Sequence, residues 1–300
     1  MEEGRPSSTA IGAAMLRAAH WLLDDEPKIL KDAFALGLSG IESEAALRAA
    51  IDRMQAAFAQ RASPGLAYAL VRHLRASVTL RSRYTEDELS KALARGVRQY
   101  VILGAGLDSF AYRRRDLAGV VRVFEVDHPA TQQWKQTRLR ELQIELPPNL
   151  TFIPINFEKQ TLTEALRAGD YRPQESAFFS WLGVTGYLTE EAIFKTLQEV
   201  AAAAPRSEIV FGYGVRETLL AEESRQMRAV LKERVAAQGE PTLSLFEPTS
   251  LAARVKALGF AQVWDFGPEA ANAHYFAGRA DGLRVAPLTH LMKARVDDVS

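Results

Sequence analysis

The stretch VILGAGLDSFAYR, residues 101–113, decides the fold. It opens as a short apolar, β-branched run and closes on two glycines, Gly104 and Gly106. A glycine-rich turn directly after a buried strand is typical of the first strand–helix unit of a doubly wound sheet, where the backbone must approach a ligand closely. The third glycine of a dinucleotide-binding motif is absent, because Ser109 stands there. The stretch therefore predicts a nucleotide-like ligand that need not be a dinucleotide.

The next apolar run, VFEVD at residues 123–127, supplies acids that match this turn. An acid at the end of the second strand, about 20 residues after the glycines, accepts hydrogen bonds from ribose hydroxyls. Glu125 and Asp127 are two residues apart, so an extended chain points them to the same side. Asp127 could instead cap the helix that follows it. The order of loop, strand and acids favours the ligand interpretation.

The residues after the glycines discriminate between ligands. A dinucleotide places its pyrophosphate at a helix N-terminus, and a third glycine there allows close packing. Here Asp108 would repel a pyrophosphate, whereas it suits a cationic ammonium group. A ligand with an ammonium group and a ribose, such as S-adenosylmethionine, is therefore favoured over NAD.

Hydrophobic periodicity divides the chain into two parts. Residues 1–95 predict an N-terminal helical cap, with one helix ending near residue 80 and a second, capped by Thr85, stopped by Gly96. Residues 96–300 alternate strands and helices, which predicts an α/β fold with a doubly wound parallel sheet. A charged helical insertion is expected at about 215–245, and a last helix and strands over 250–267 and 274–281.

Composition narrows the classes of function. There are 37 basic and 37 acidic residues, so the zero net charge gives no electrostatic reason to expect nucleic acid or an anionic membrane as partner. Cysteine is absent and the five histidines lack ligand spacing, so no metal site is expected. No signal peptide or stretch of eighteen apolar residues is found, which predicts a soluble cytoplasmic protein.

Four motifs together resemble a known family: LGAGLDSFAYR, VFEVDHPATQQWK, PINF and FFSWLGVTGYLT. They are similar to those of the leucine carboxyl methyltransferase-like proteins, closest to a bacterial branch with mycobacterial methyltransferases and polyketide carboxyl O-methyltransferases. The resemblance covers most of the chain. It implies a class I methyltransferase fold, a Rossmann-like doubly wound sheet with an N-terminal helical cap, and S-adenosylmethionine as cofactor.

The resemblance also implies roles for individual residues. Gly104 and Gly106, with Ala105 between them, match the cofactor-loop residues, and Asp127 matches the acid on the ribose, which ranks it above Glu125.

Further along the chain, Asn156 and Phe157 fall near the adenine of the family's cofactor site. Arg17 and Arg83 fall near the basic positions that hold the methionine carboxylate. Leu182 replaces a glutamate found in many relatives, so Asp108 or a backbone carbonyl must take over its contact with the amino group.

The expected activity is O-methyl transfer to a carboxylate of a small-molecule acid. A carboxylate is already ionised at pH 7 and needs no general base, whereas a phenol would need a base or a metal. The residues weighed for a direct part in catalysis are Tyr187, His20 and His274, and the histidines are expected to be structural. The alternatives are methylation of a protein C-terminus, an NAD(P)-dependent oxidoreductase and a non-catalytic S-adenosylmethionine-binding protein.

Overall fold

The structure is a computed structural model that describes residues 8–155, 160–237, 239 and 241–297. Helices alternate with strands from residue 99 onward, after a helical N-terminal part. The α-helices are α1 Ser8–Leu23, α2 Ala35–Leu38, α3 Glu44–Ala59, α4 Pro64–Ala94, α5 Phe110–Arg113, α6 Pro129–Glu141, α7 Leu162–Arg167, α8 Glu190–Ala201, α9 Glu222–Ala237, α10 Pro248–Ala257 and α11 Pro268–Tyr275. The 3₁₀ helices are Arg115–Leu117, Thr185–Tyr187 and Glu217–Leu219.

A seven-stranded sheet forms the centre of the molecule. Its strands are β1 Gln99–Leu103, β2 Arg122–Asp127, β3 Leu150–Pro154, β4 Ala177–Trp181, β5 Glu208–Gly214, β6 Phe260–Phe266 and β7 Thr289–Val296. Their spatial order is β3-β2-β1-β4-β5-β7-β6. The first five are parallel, and β7 runs antiparallel to both β5 and β6. Every residue of β1 and β4 is buried, because helices cover both faces of the sheet.

The order of the strands fixes where a ligand can bind. The chain begins the sheet at β1 and proceeds outward to β2 and β3, then returns to place β4 on the other side of β1. Ligands of doubly wound sheets bind outside the carboxyl ends of the strands at such a switch point. The turn after β1, the last residue of β2 and the turn after β4 therefore meet at one edge of the sheet.

The predicted α/β fold with a helical N-terminal part is confirmed, with two local corrections. The helices expected on either side of residue 85 form one continuous 31-residue helix, α4, in which Thr85 is a buried interior residue and not a cap. Intrahelical hydrogen bonding and burial of one face outweigh the local capping signal. The strand expected at 274–281 is instead the end of α11 and a turn, and the last strand lies at β7.

Local sequence explains how the helical part is delimited. Ser43 accepts a hydrogen bond from the Ala46 amide at 3.2 Å and so caps α3, and Ser63 caps α4 in the same way before Pro64. Beyond α4, Gly96 adopts φ +99, a left-handed conformation that ends helices and that glycine adopts without strain.

Candidate active site

The turn after β1 requires both of its glycines. Gly104 and Gly106 have φ angles of +63° and +49°, values that residues other than glycine rarely adopt. A Cβ on Gly104 would lie 2.5 Å from Cγ2 of Val184 in the turn after β4, and one on Gly106 would lie 3.2 Å from the Cβ of Ala10 in α1. Ala105 between them is buried. The turn is therefore packed between the cap and the end of β4.

Asp127, at the carboxyl end of β2, is bound to this turn. Its carboxylate accepts hydrogen bonds from the amide of Gly106 and, at 2.6 Å, from the amide of His128. Burial raises the pKa of Asp127 above its ordinary value, and the two amides oppose that effect. Asp127 is half-buried as a residue, and each of its carboxylate oxygens accepts one hydrogen bond from the described residues, so each can accept another from a ligand hydroxyl.

Glu125 is not brought to the turn. It is fully buried, and its carboxylate accepts a hydrogen bond at 2.5 Å from Nζ of Lys135 in α6. Burial raises the pKa of Glu125 to about 7, against the lowering effect of Lys135. Of the two acids predicted for the ribose, the structure places only Asp127 beside the glycines.

Ser109, the residue in place of the third glycine, joins the turn to the cap. Its hydroxyl donates to Oδ2 of Asp32 at 2.7 Å and accepts from Nε of Arg113 at 2.9 Å. Arg17 in α1 donates to the same Asp32 oxygen at 2.8 Å and to the carbonyl oxygen of Leu107 at 2.6 Å. Arg17 thus contacts the backbone of the turn directly, and its buried charge has the partner that burial requires.

Asp32 is the residue of this network that sequence reasoning missed. It is fully buried. Burial works against its charge, yet Arg17 and Arg113, together with the Ser109 hydroxyl, hold the pKa of Asp32 below its ordinary value. It lies 77 positions from Ser109 in a segment without a motif, so no local pattern points to it. The signal available in the sequence was Arg17, because an arginine on an apolar helix face requires an acidic partner elsewhere in the chain.

Arg81, and not Arg83, faces the turns. The guanidinium of Arg81 packs against Gly183, which has φ +72 and where any Cβ would overlap it. Burial, together with the nearby charge of Arg17, lowers the pKa of Arg81 to about 10, although Tyr187 and Asp108 act to raise it. Arg83 is exposed and donates to the Asp87 carboxylate at 2.9 and 3.0 Å.

Helix geometry explains this difference. Residues two apart differ by about 200° around a helix, so only one of two such arginines can face the site. In the described part of the chain, neither an ion pair nor a hydrogen bond to Arg81 is found.

Asp108 and Tyr187 complete this group. Oδ1 of Asp108 accepts a hydrogen bond from the Phe110 amide at 2.7 Å, which orients its carboxylate at the start of α5. Both Asp108 and Tyr187 interact electrostatically with Arg81. Leu182, the residue in place of the family glutamate, packs against the hydrophobic cluster on one face of the sheet. The structure thus gathers two arginines, an aspartate and a tyrosine around the turns after β1 and β4.

Neither histidine considered as a base reaches this group. His20 is fully buried; its Nδ1 is 2.9 Å from Asp24 Oδ2, and its Nε2 accepts a hydrogen bond from the Ile29 amide at 2.9 Å. His274 is exposed on α11, with its ring against Tyr275. Within the described ranges no group of three His, Asp or Glu side chains could hold a metal ion. Asn156 and Phe157 lie outside the described residues.

Comparison with known proteins identifies the family. The leucine carboxyl methyltransferase family matches residues 10–201, which contain the cap, the glycine turn, Asp127 and the turn after β4. The chain belongs to this family. It is 33% identical over 215 residues to YktD of Bacillus subtilis, named as a candidate S-adenosyl-L-methionine-dependent methyltransferase, and the match covers 71% of this chain and 70% of that one.

Further relatives of the leucine carboxyl methyltransferase family agree. A Mycobacterium avium protein with a similar name is 35% identical over 127 residues, or 42% of this chain and 40% of its own length. Two solved structures share the fold at 15% identity: a candidate methyltransferase from Thermobifida fusca (TM-score 0.59, covering 99% and 97% of the chains) and a DUF574 protein from Streptomyces avermitilis (0.56, 95% and 97%). This family member is therefore an S-adenosylmethionine-dependent methyltransferase with a class I fold.

The residues of this family member fit S-adenosylmethionine. The left-handed glycines give the turn a conformation in which the Gly106 amide binds Asp127, and the Asp127 carboxylate stands at the carboxyl end of β2, where a ribose would lie. Arg81 and Asp108 offer opposite charges, as a zwitterionic methionine end requires. In the part of the chain that the structure describes, no helix combines the length and apolar character needed to cross a bilayer.

Proposed function

We propose that this methyltransferase forms methyl esters on the carboxylate of a small-molecule acid. The observation that carries the proposal is the presence of two arginines, Arg17 and Arg81, at the turns after β1 and β4. The two histidines considered as bases lie elsewhere: His20 is engaged through both ring nitrogens and His274 is exposed on α11. A carboxylate is ionised at neutral pH and needs no base, so the arginine-rich site suits it.

The chemistry is an in-line displacement. When bound, S-adenosylmethionine supplies a methyl group activated by its sulfonium. A carboxylate oxygen of the acceptor attacks this carbon, the C–O bond forms as the C–S bond breaks, and sulfur keeps the electron pair, giving S-adenosylhomocysteine and a neutral ester. The positive charge of the sulfonium and the negative charge of the carboxylate both disappear in this step, so a site that excludes water favours it.

We assign the cofactor contacts as follows. The backbone of Gly104 and Gly106 and the carboxylate of Asp127 hold the adenosine part. Arg81 binds the methionine carboxylate, for which it has no competing hydrogen bond among the described residues, and Asp108 binds the amino group. Tyr187, which interacts electrostatically with Arg81, is assigned to the boundary between cofactor and acceptor. These groups position the two substrates, and none of them needs to transfer a proton.

The nature of the bond formed tests the proposed reaction. Methyl-labelled S-adenosylmethionine is incubated with the protein and a panel of aliphatic and aromatic acids, each paired with its amide and a phenol. Methyl esters release volatile methanol in alkali, whereas methyl ethers and N-methyl groups do not. We expect alkali-labile label with acids only. Alkali-stable label, or label from phenols, would refute the proposal, and label on peptides with a free C-terminus alone would favour a protein acceptor.

Two variants on one helix test the cofactor assignment. Arg81→Met should weaken binding of S-adenosylhomocysteine about 10- to 150-fold by calorimetry, because a hydrogen bond to a charged group contributes about 1.5–3 kcal/mol. Arg83→Met is the matched control and should leave the dissociation constant unchanged, since Arg83 pairs with Asp87 at the surface. The opposite result would restore the sequence-based assignment of Arg83.

A further inference from the structure

A second concave surface lies away from the glycine turn, between the cap and α9. We call it the cap–insertion groove. Its volume is about 410 Å³, within the range of small-molecule pockets of about 300–1,000 Å³. Its floor is apolar and its edge carries three arginines. The lining residues are Met15, Ala50, Arg53, Met54, Ala57, Phe58, Arg61, Val230 and Arg234.

The groove is separate from the methyl-donor site. In α1, Ala10 lies on the side of Gly106 where a Cβ would point, and Arg17 donates a hydrogen bond to the carbonyl oxygen of Leu107. Met15, which lines the groove, is rotated about 140° from Ala10 and about 160° from Arg17 around the helix axis, measured the shorter way. The donor turn and the groove therefore lie on opposite sides of α1.

The charge of Arg234 in the groove is not balanced by any acidic residue that the structure describes. Arg234 lies over the ring of Phe58, 5.0 Å from its centroid, and no described residue gives it an ion pair or a hydrogen bond. Burial lowers the pKa of Arg234, and no acid opposes this effect. Arg61, by contrast, forms an ion pair with Glu233, with Nε and Oε2 3.5 Å apart. Among the residues that the structure describes, no carboxylate lines the groove.

We propose that the cap–insertion groove binds a small-molecule amphipathic carboxylate, with its apolar body against Met15, Met54 and Phe58 and its carboxylate on Arg234. The two flexible methionines suit an aliphatic chain, because thioether side chains adapt to irregular apolar shapes. A guanidinium held over an aromatic ring is already oriented and partly desolvated, which strengthens its pairing with an anion. Such a ligand would bridge the cap and α9 without entering the donor site.

Calorimetry on the full chain with dodecanoate, below its micellar concentration, tests this proposal. We expect saturable binding that Arg234→Gln weakens at least about tenfold, and that Arg53→Gln weakens less. Arg48→Gln is the matched control, because Arg48 is exposed on α3, pairs with Glu44 and does not line the groove. Excess S-adenosylhomocysteine should leave dodecanoate binding unchanged, which separates this site from the donor site even if the methyl acceptor proves not to be an acid.

Several results would overturn the proposal. Equal binding of dodecyltrimethylammonium would show that charge does not select the ligand. Unchanged affinity in a folded Arg234→Gln variant, or displacement by S-adenosylhomocysteine, would place the dodecanoate elsewhere. Binding only to anionic vesicles, or a dimer in light scattering that Arg234→Gln dissociates, would assign the groove to a membrane or to a second copy of the chain.

Discussion

Replacing Asp32 with leucine would remove the acid that joins the cap to the cofactor turn. Asp32 is fully buried and accepts hydrogen bonds from Arg17 at 2.8 Å and Ser109 at 2.7 Å. Removing one partner of a buried ion pair costs about 3–5 kcal/mol, because the remaining charge is left uncompensated. Arg113 keeps Glu86 at 2.5 Å, so the cost falls on Arg17. We therefore expect Asp32→Leu to reduce the free energy of unfolding by about 3–5 kcal/mol.

Urea denaturation measures the change in the free energy of unfolding, and a double-mutant cycle shows whether the lost pairing with Arg17 causes it. If the loss comes from the stranded Arg17 charge, adding Arg17→Met to Asp32→Leu should recover about 1–3 kcal/mol, since apolar residues replace a buried pair at little cost. Asp52→Leu, an exposed acid in α3, is the control and should change stability by less than about 0.5 kcal/mol. Additive effects of the two substitutions, or a loss below about 1 kcal/mol for Asp32→Leu, would refute the reasoning.

The stability lost in Asp32→Leu should depend on pH, in a direction that the pKa of Asp32 sets. Burial opposes ionisation, but Arg17 and Arg113 hold the pKa of Asp32 below its ordinary value of 3.8. A lowered pKa in the folded state contributes stability above the unfolded value, and that contribution disappears as pH falls through the folded value. The stability difference between the wild type and Asp32→Leu should thus be constant near neutral pH and shrink below about pH 4. A difference that grows in acid would contradict this assignment.

Three further predictions concern the donor site. Gly104→Ala should reduce the free energy of unfolding by about 2–5 kcal/mol in urea or thermal denaturation, because of left-handed backbone strain and overlap with Val184. Gly119→Ala is the control and should not destabilise the fold, because the space around Gly119 is open. Equal effects of the two substitutions would be inconsistent with this packing. Asp127→Asn should weaken S-adenosylhomocysteine binding at least about tenfold by calorimetry, and unchanged affinity would remove Asp127 from the ribose site. His274→Ala should leave the rate of methyl transfer unchanged in the labelling assay, and loss of transfer in the folded variant would require a base.

The parts of the site that sequence could predict depend on neighbouring residues in the chain. Gly104 and Gly106 follow from the geometry of a tight turn after a strand, and Asp127 from its place at the end of the next strand. Such signals are local because both the strand and the turn are encoded within a few residues. The fold class and the cofactor followed from them, and both were confirmed.

The parts that sequence missed depend on contacts between distant residues or on helical phase. The hydrogen bond between Ser109 and Asp32 joins residues 77 positions apart, and nothing near either one encodes the other. The assignment of Arg83 to the methionine carboxylate came from the family resemblance, and Arg81 was not considered, although helical periodicity favours it. Arg81 falls at helical spacing between the buried Val78 and Thr85, whereas Arg83 lies on the opposite side.

The continuity of α4 restricts how the enzyme can open. At about 1.5 Å per residue, its 31 residues form a rod about 46 Å long. Leu70 near its start packs in the hydrophobic cluster shared with α1 and α3, whereas Leu89 near its end packs in the cluster beneath β1 and β4. A hinge between cap and sheet would have to bend this rod. We therefore expect any movement that admits substrate to involve the shorter elements around α4, and not a rotation between cap and sheet.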